Sequence, residues 1–531
     1  MPSDKQSAIK QQFIGITLLI LACVLPYLNT LHGEFVLDDV AFYVNNPSFI
    51  ADHNLARFFS SSVWQHSVLH SQEDVLYRPL FMTAMWINQT IFGGNVVGHH
   101  LFNIGLHLTA TLLLLQLLRR LLPDAGRIPP LVGALIFAVH PVHAEAVAWI
   151  SAFGHLLATA LLLGSTLCYL RHLNAPAWHR LGGSLALFAL ALLSGEIAVA
   201  FPLLIMACEY LRLRHLSWRR IAPFWLLLAV YFGVRKLVLP LAIPLGIDSF
   251  SSWQTAFFFA IGYLEQLLLP WPQFFYLAIP EGGIITPTGG ALALLMLVGA
   301  AMLVRLRTPE KTIMLFGLAW IVAALSIPVI AALNPRPMFA LRSLYLTSVG
   351  ISILAAWAAA VWLPRQRAIL GGAVILIIVV AIPTTWLANR DWLNNFQVYD
   401  KIFSISPNAS GAAIKLADIY EQQGNLKMAE QTLRHATRHA PDKTSQIDLY
   451  SKLGLLYGTQ GLTDQSDDYF DQVLKLDPQR SSAWVGRGNN AWARGNIKSA
   501  LDHYLRAQTL DPNNREAGYN AALAYRELEK R

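Results

Sequence analysis

The stretch "SSAWVGRGNNAWARGN" (Ser481 to Asn496) reads as a short helix with small residues on one side and a glycine at its end, and the chain writes it more than once. Gly424, Gly461 and Gly495 each lead into a small residue, Ala429, Ser466 or Ala500. Leu433, Phe470 and Tyr504 follow, then Ala436, Val473 and Ala507. Each unit closes on Pro441, Pro478 or Pro512, with Pro407 one period earlier. A period of about 34 residues belongs to stacked helix pairs. The small residues let paired helices approach, the aromatics fill the gap, and proline, lacking an N–H, stops each second helix. "EAGYNAALAYRELEKR" supplies a final capping helix. The fixed period favours such an array, with its curved groove for a peptide or partner protein, over a plain helical bundle.

Upstream the composition changes. The chain of 531 residues is 55% hydrophobic and 14% charged, with mean hydropathy +0.43. Soluble domains are nearer about 45–50% apolar and about a quarter charged. From Asn395 onward roughly 17 Lys and Arg face roughly 16 Asp and Glu, an ordinary soluble balance. The apolar excess and nearly all of the net charge of +8 therefore lie upstream. The sequence predicts an all-α chain in two parts: a polytopic membrane domain over residues 1–390 and a repeat solenoid over residues 391–531. Apolar runs near 12–31, 99–118, 131–148, 156–170, 181–194, 197–211, 222–240, 288–304, 312–331, 343–363 and 368–388 make about eleven candidate crossings. A segment near 254–270, with few cations at its flanks, is expected to lie along the membrane surface; a pair of short crossings is the alternative. Cys23, Cys168 and Cys208 all fall in apolar runs, so no disulfide framework is implied.

Cations fix the orientation. Lys5 and Lys10, "RRLLPDAGR" (Arg119 to Arg127), Arg171 with Arg180, "RLRHLSWRR" (Arg212 to Arg220), "RLRTPEK" (Arg305 to Lys311) and "RQR" (Arg365 to Arg367) occupy alternate connections. That side is predicted to be the cytoplasm. Asp38, Asp39, Glu145 and Glu196 fall on the opposite side, and an odd number of crossings puts the repeats there too. The expected setting is a bacterial inner membrane, with both the site and the repeats in the periplasm. Nothing in this charge pattern supports nucleic-acid binding, and no phosphate-cradling glycine loop is present.

Four polar constellations sit on that outer side. The first is Asp38–Asp39 in "GEFVLDDVAFYVNNP" (Gly33 to Pro47); carboxylates beside a membrane point to function or to helix capping. The second is Arg78 in "YRPL", whose fork suits a phosphate or a structural carboxylate. The third is "HPVHAEAVAWIS" (His140 to Ser151), in which His140, His143 and Glu145 could shuttle protons, bind a metal or hold a broken helix end. The fourth joins Glu196 in "SGEIAV", Arg235 and Lys236, and "NPRPMFALRSLYL" (Asn334 to Leu346) with Arg336 and Arg342. Cations on an outer, lipid-adjacent face suit a phosphate headgroup, or simply reach the interface from an apolar stem.

In order, "FVLDD", "YRPL", "HLFNIGLH", "FAVHPVHAEAVAWIS", "LLSGE" and "LRSLYLTSVG", followed by repeats of the tetratricopeptide type, resemble the membrane O-mannosyltransferase-like proteins with C-terminal tetratricopeptide repeats. These belong to the GT-C class of polyprenyl-phosphate-sugar-dependent glycosyltransferases. The resemblance runs from about Phe35 to the C-terminus. It implies an inverting transferase: Asp39 and Asp38 as the catalytic pair, with Asp39 the first choice as base, and Arg78, Arg235, Lys236, Arg336 and Arg342 on the donor phosphate. His140, His143, Glu145, His155, Glu196 and Tyr345 would support the site. A divalent metal, where a branch uses one, would fall to Asp38, Asp39, His143 and Glu145. The partners implied are membrane lipid, a lipid-linked sugar donor and a protein acceptor in the repeat groove. The chain departs from the family pattern at Phe153 and His155, at Gly195 in "SGE", and at Leu341 and Thr347.

Other readings keep a place. The acceptor could be a lipid or a growing glycan, or the chain could be a membrane-anchored repeat scaffold without activity. A transporter is disfavoured because its polar residues would sit at the membrane midplane rather than at one face.

Overall fold

A computed structural model of the chain describes residues 2–46, 49, 51, 54–67, 76–239, 250–270, 273, 308–334 and 338–530, and every regular element among them is helical. The chain separates into two compact units, Met1–Asn395 and Phe396–Arg531.

The first unit contains α1 (Pro2–Val24), α2 (Pro79–Phe92), α3 (Val96–Leu121), α4 (Ile128–Val139), α5 (Ala144–Ala148), α6 (Phe153–Asn174), α7 (Trp178–Leu192), α8 (Phe201–Leu213), α9 (Trp218–Val238), α10 (Phe250–Leu268), α11 (Thr308–Ala331), α12 (Leu344–Trp362) and α13 (Arg367–Asn389). Among the described residues seven helices are long and apolar enough to cross a bilayer, or eight if the bent pair Ile128–Val139 and Pro141–Ala148 is one span. The chain is a multi-pass membrane protein. Eleven crossings were expected, and the difference falls on three of them. Those at 181–194 and 197–211 form α7, 15 residues, and α8, 13 residues. At 1.5 Å per residue such helices reach only about 20 Å, against about 30 Å of hydrocarbon. The break between them is "SGE", where a 3-10 turn from Glu196 to Ala200 replaces the helix. The third, 288–304, lies outside the described residues, as does Arg336.

The segment near 254–270 is one continuous helix, α10, rather than two short crossings. It buries Phe258, Phe259 and Tyr263, and Tyr263 stacks on Phe339 at 4.2 Å. Elsewhere glycines set the helix spacing. A Cβ at Gly133 would lie 2.5 Å from the Ser352 carbonyl oxygen, and one at Gly350 2.5 Å from Ile321 Cγ1. These glycines bring α4 and α11 onto α12, the close approach that small residues permit where lipid gives no hydrophobic drive.

The second unit stacks α14 (Asn395–Ile405), α15 (Ser410–Gln422), α16 (Leu426–Arg438), α17 (Lys443–Thr459), α18 (Thr463–Leu476), α19 (Ser481–Ala493), α20 (Ile497–Leu510) and α21 (Arg515–Glu529). Gly424, Gly461 and Gly495 all take positive φ, between 74 and 79°, so the turn inside each pair needs glycine. The small-against-aromatic pattern is literal. A Cβ at Gly486 would meet the Phe470 ring at 2.2 Å, and one at Gly488 the Tyr504 ring at 2.4 Å.

Candidate active site

The site begins at a proline. Pro141 has no N–H and cannot continue α4, so the apolar helix breaks at His140 and resumes with a bend of 46°. His140 Nδ1 accepts the Val142 N–H at 3.3 Å, while its Nε2 lies 3.2 Å from the Leu267 carbonyl. After α5 the backbone opens again, and α3 supplies the missing partners. Asn103 Nδ2 donates to the carbonyls of Val147, Trp149 and Ile150 at 3.2, 3.1 and 3.3 Å. One turn on, His107 Nε2 meets the Ala138 carbonyl at 3.0 Å and its Nδ1 meets the Tyr345 hydroxyl at 2.7 Å. Irregular backbone at membrane depth persists only where protein groups satisfy it. The break delivers Glu145 and Ser151 to one end of the bundle.

The first loop meets them there. Leu37 stands at φ 50°, a left-handed conformation that costs a non-glycine residue about 1 kcal/mol, and it turns the chain so that Asp38 and Asp39 follow as an abrupt corner. Asp39 is 0% exposed. Its Oδ1 accepts the Ser151 N–H at 2.8 Å and the Ser151 hydroxyl, and its Oδ2 accepts the Val36 N–H at 3.1 Å. Burial pushes this carboxyl up to about 7 against the pull of those hydrogen bonds. Asp38 is half-buried and differs in its surroundings. Burial raises its pKa too, while Arg342 and Arg78, both within electrostatic reach, pull it down.

The two arginines are themselves held. Arg78 forks onto Glu196, with Nε 2.7 Å and a terminal nitrogen 2.5 Å from Oε2. Arg342 pairs with Glu145 Oε1 and lies 4.8 Å over the Trp149 ring, which stacks on Trp392. Glu145, 1% exposed, also accepts the Leu341 N–H at 2.7 Å. His155, half-buried, lies within electrostatic reach of both arginines. Asp38, Arg78, Glu145, His155, Glu196 and Arg342 thus form one cluster drawn from five chain segments. Arg235 is near its edge, sharing Tyr231 with Arg78 and Glu196, while Lys236 is exposed at the end of α9. His143 and Tyr345 lie deeper, with His143 Nε2 2.7 Å from the Ser348 hydroxyl and Tyr345 on His107.

Asp38, Asp39, His143 and Glu145, the set named for a divalent ion, are not drawn together here: both oxygens of Asp39 and of Glu145 accept from protein donors, and His143 Nε2 meets Ser348. Among the described residues no three His, Cys, Asp or Glu side chains gather as a metal group. Four contributors were not singled out from sequence: Asn103, His107, Ser151 and Ser348. The signal for the first two was a polar pair spaced by four in an apolar helix, inside the motif "HLFNIGLH".

Residues 411–443 and 451–515 match models of the tetratricopeptide repeat. A protein O-mannosyl-transferase of Caenorhabditis elegans, F38B6.6, is 33% identical over 172 residues, 32% of this chain and 25% of that one. The protein O-mannosyl-transferase Tmtc1 of Drosophila melanogaster is 35% identical over 191 residues, 36% and 22% of the two chains. The protein O-mannosyl-transferase TMTC3 of Mus musculus is 22% identical over 619 aligned positions, 98% of this chain and 66% of that one. The matches thus span a quarter or less of the worm and fly proteins and just under two thirds of the mouse protein. Of solved structures, MamA overlaps 27% of this chain and 80% of its own at 20% identity and a TM-score of 0.23. The tetratricopeptide domain of P58(IPK) overlaps 79% and 98% at 12% identity and 0.21. The chain is a multi-pass membrane protein with a C-terminal tetratricopeptide repeat array, similar along nearly its whole length to proteins named as protein O-mannosyl-transferases.

Proposed function

We propose that this chain is a membrane glycosyltransferase of GT-C type that moves a sugar from a polyprenyl-phosphate carrier to a hydroxyl of an exported protein. The observation that carries the reading is Asp38: a half-buried carboxylate beside two arginines, next to a second carboxylate whose oxygens are all taken. In this reading Asp38 is the base. It takes the acceptor's hydroxyl proton as the oxygen attacks the anomeric carbon; the bond from that carbon to the phosphate oxygen breaks and its electron pair leaves with the polyprenyl phosphate. One base and no second free carboxylate beside it give inversion. Arg342 and Arg78, with Arg235 at the edge, stabilise the charge that collects on the phosphate. Asp39 positions the loop through Ser151.

An apolar groove of about 480 Å³, lined by Val139, His140, Leu267, Ile351, Val380 and Thr384, runs along the broken helix that carries Glu145 and suits an isoprenoid tail. The cation-rich connections favour the cytoplasm for the far end and the outer face for the site. A protein acceptor is the occupant that suits the repeat groove, and the relatives' names make mannose the first donor to try. The test is intact-mass spectrometry of exported proteins in the native host, comparing wild type, Asp38→Asn and Asp39→Asn. A hexose-sized mass lost in Asp38→Asn, with the membrane protein at its normal level, supports the reading. Unchanged masses in both variants, where deletion of the chain does change them, overturn it.

A further inference from the structure

The bundle has a second polar end, rich in cations. The last turns of α3, α6 and α8 carry Arg119 with Arg120, Arg171, and Arg212. Those ends converge on a half-open cavity of about 140 Å³ lined in its polar part by Arg120, Arg212, Asn174 and Thr312. Thr312, Ile313 and Phe316 of α11 close the cavity opposite these three helix ends, which bear arginines. Arg171 is within electrostatic reach of Arg120, and Arg212 donates to Asn174 Oδ1 at 3.3 Å. Arg214 donates to Thr312. Among the described residues no carboxylate lines the cavity or pairs with Arg120, Arg171, Arg212 or Arg214.

The contrast with the neighbouring acid is informative. Glu209, one residue past Cys208 in the cavity wall, is 0% exposed and turned away onto Arg220 at 2.5 Å, Tyr169 at 2.7 Å and the Ser217 N–H at 3.1 Å. Glu209 is spent on Arg220, and Arg120 and Arg212 line the cavity with no carboxylate in its wall among the described residues. Cations that served only to orient the helices would need to sit at this end, not to meet around a cavity with an amide and a hydroxyl. Exposed Trp178, Trp218 and Trp362 start or end helices at the same level, the belt expected at a lipid headgroup layer. α6 is 22 residues long, so this level lies about 30 Å from Asp38 along the bundle.

We infer that this cavity is a phosphate-binding site, separate from the Asp38 cluster, that takes a phosphate-bearing anion at the cation-rich face of the bundle. Arginine forks suit phosphate oxygens, and basic pockets between membrane helices hold anionic headgroups. The inference does not depend on the transferase reading.

The test uses the purified full chain in detergent, titrated separately with phosphatidylglycerol, phosphatidylcholine and inorganic phosphate, read by native mass spectrometry and by thermal melting. Wild type is expected to retain phosphatidylglycerol and to melt higher with it. An Arg120→Gln/Arg212→Gln variant is expected to bind about tenfold more weakly or worse, and Arg119→Gln, outside the cavity, to match wild type. Leu211→Trp fills the cavity while keeping every charge and must lose binding as well, which covers a double variant that fails to fold. Saturable stabilisation by inorganic phosphate alone, lost in the same variants, assigns a soluble anion; stabilisation by phosphatidylglycerol alone assigns a lipid headgroup. Retention of phosphatidylglycerol by wild type and Leu211→Trp to the same extent, with no effect of phosphate, overturns the site.

Discussion

The two units use carboxylates in opposite ways. In the membrane unit Glu145 and Glu209 are 1% and 0% exposed, and each is saturated by an arginine and a backbone N–H. In the repeat unit most paired acids reach water: Arg480 with Asp448 and Arg494 with Asp464 join neighbouring helices at the surface, Arg434 with Glu430 runs along one helix, and Lys452 with Asp418 and Glu421 is more enclosed. A buried charge without its partner is costly, whereas an exposed pair is worth little. The same residue types therefore fix geometry in one unit and keep the other soluble. Asp38 obeys neither pattern, and for that reason it stands out as the chemical group.

Asp38→Asn is the sharpest probe of that exception. It is expected to cut transfer by about 10²–10⁴-fold while leaving the melting temperature near that of wild type, measured by transfer assay and thermal shift on one preparation. Because burial raises the Asp38 pKa, activity should fall on acidification at a higher pH than an ordinary carboxylate would give. Loss of fold in this variant would place Asp38 with Glu145 and break the comparison.

Glu145→Gln is next, expected to destabilise by about 3–5 kcal/mol because Arg342 keeps its charge without its partner; denaturant or thermal unfolding in detergent reads it. The Asp39 carboxyl, pushed up to about 7 from an ordinary value of 3.8, adds a pH signature. A pKa raised on folding stabilises most below the unfolded value, and that contribution is lost as pH rises through the folded one. Compared with Asp39→Asn, wild type should thus lose a few kcal/mol between about pH 4 and pH 7 and then run parallel to the variant.

In the repeat unit Gly486→Ala should cost about 1–3 kcal/mol, since its Cβ would strike the Phe470 ring at 2.2 Å. Arg480→Ala should cost less than about 1 kcal/mol, both partners being 42% exposed. A loss comparable to that of Glu145→Gln would show that the repeat pairs fix geometry after all.

The repeats were legible because a period is a local signal: the glycine, small, aromatic and proline positions recur whatever the rest of the chain does. Most crossings were legible for the same reason, as unbroken apolar runs. What failed was length, where "SGE" splits an apolar stretch into α7 and α8, and α2, a 14-residue helix that the apolar runs did not mark out. In the site, individual residues could be named from their chemistry, but their pairing could not. Arg78 finds Glu196 118 residues away, and Arg342 finds Glu145 across 197. Two adjacent aspartates look alike in a sequence; only the arrival of Ser151, 112 residues on, separates them.

The broken span also bears on how the chain is made. Asn103 and His107 take up carbonyls that the segment from Ala138 to Ile150 cannot satisfy for itself. In lipid alone each such group would cost several kcal/mol. Their providers sit on α3, which leaves the ribosome before the break does. The chain's order of synthesis thus places a receptor in the membrane ahead of the segment that requires it, and a variant lacking Asn103 would present the insertion machinery with an orphaned half-helix rather than a misshapen finished protein.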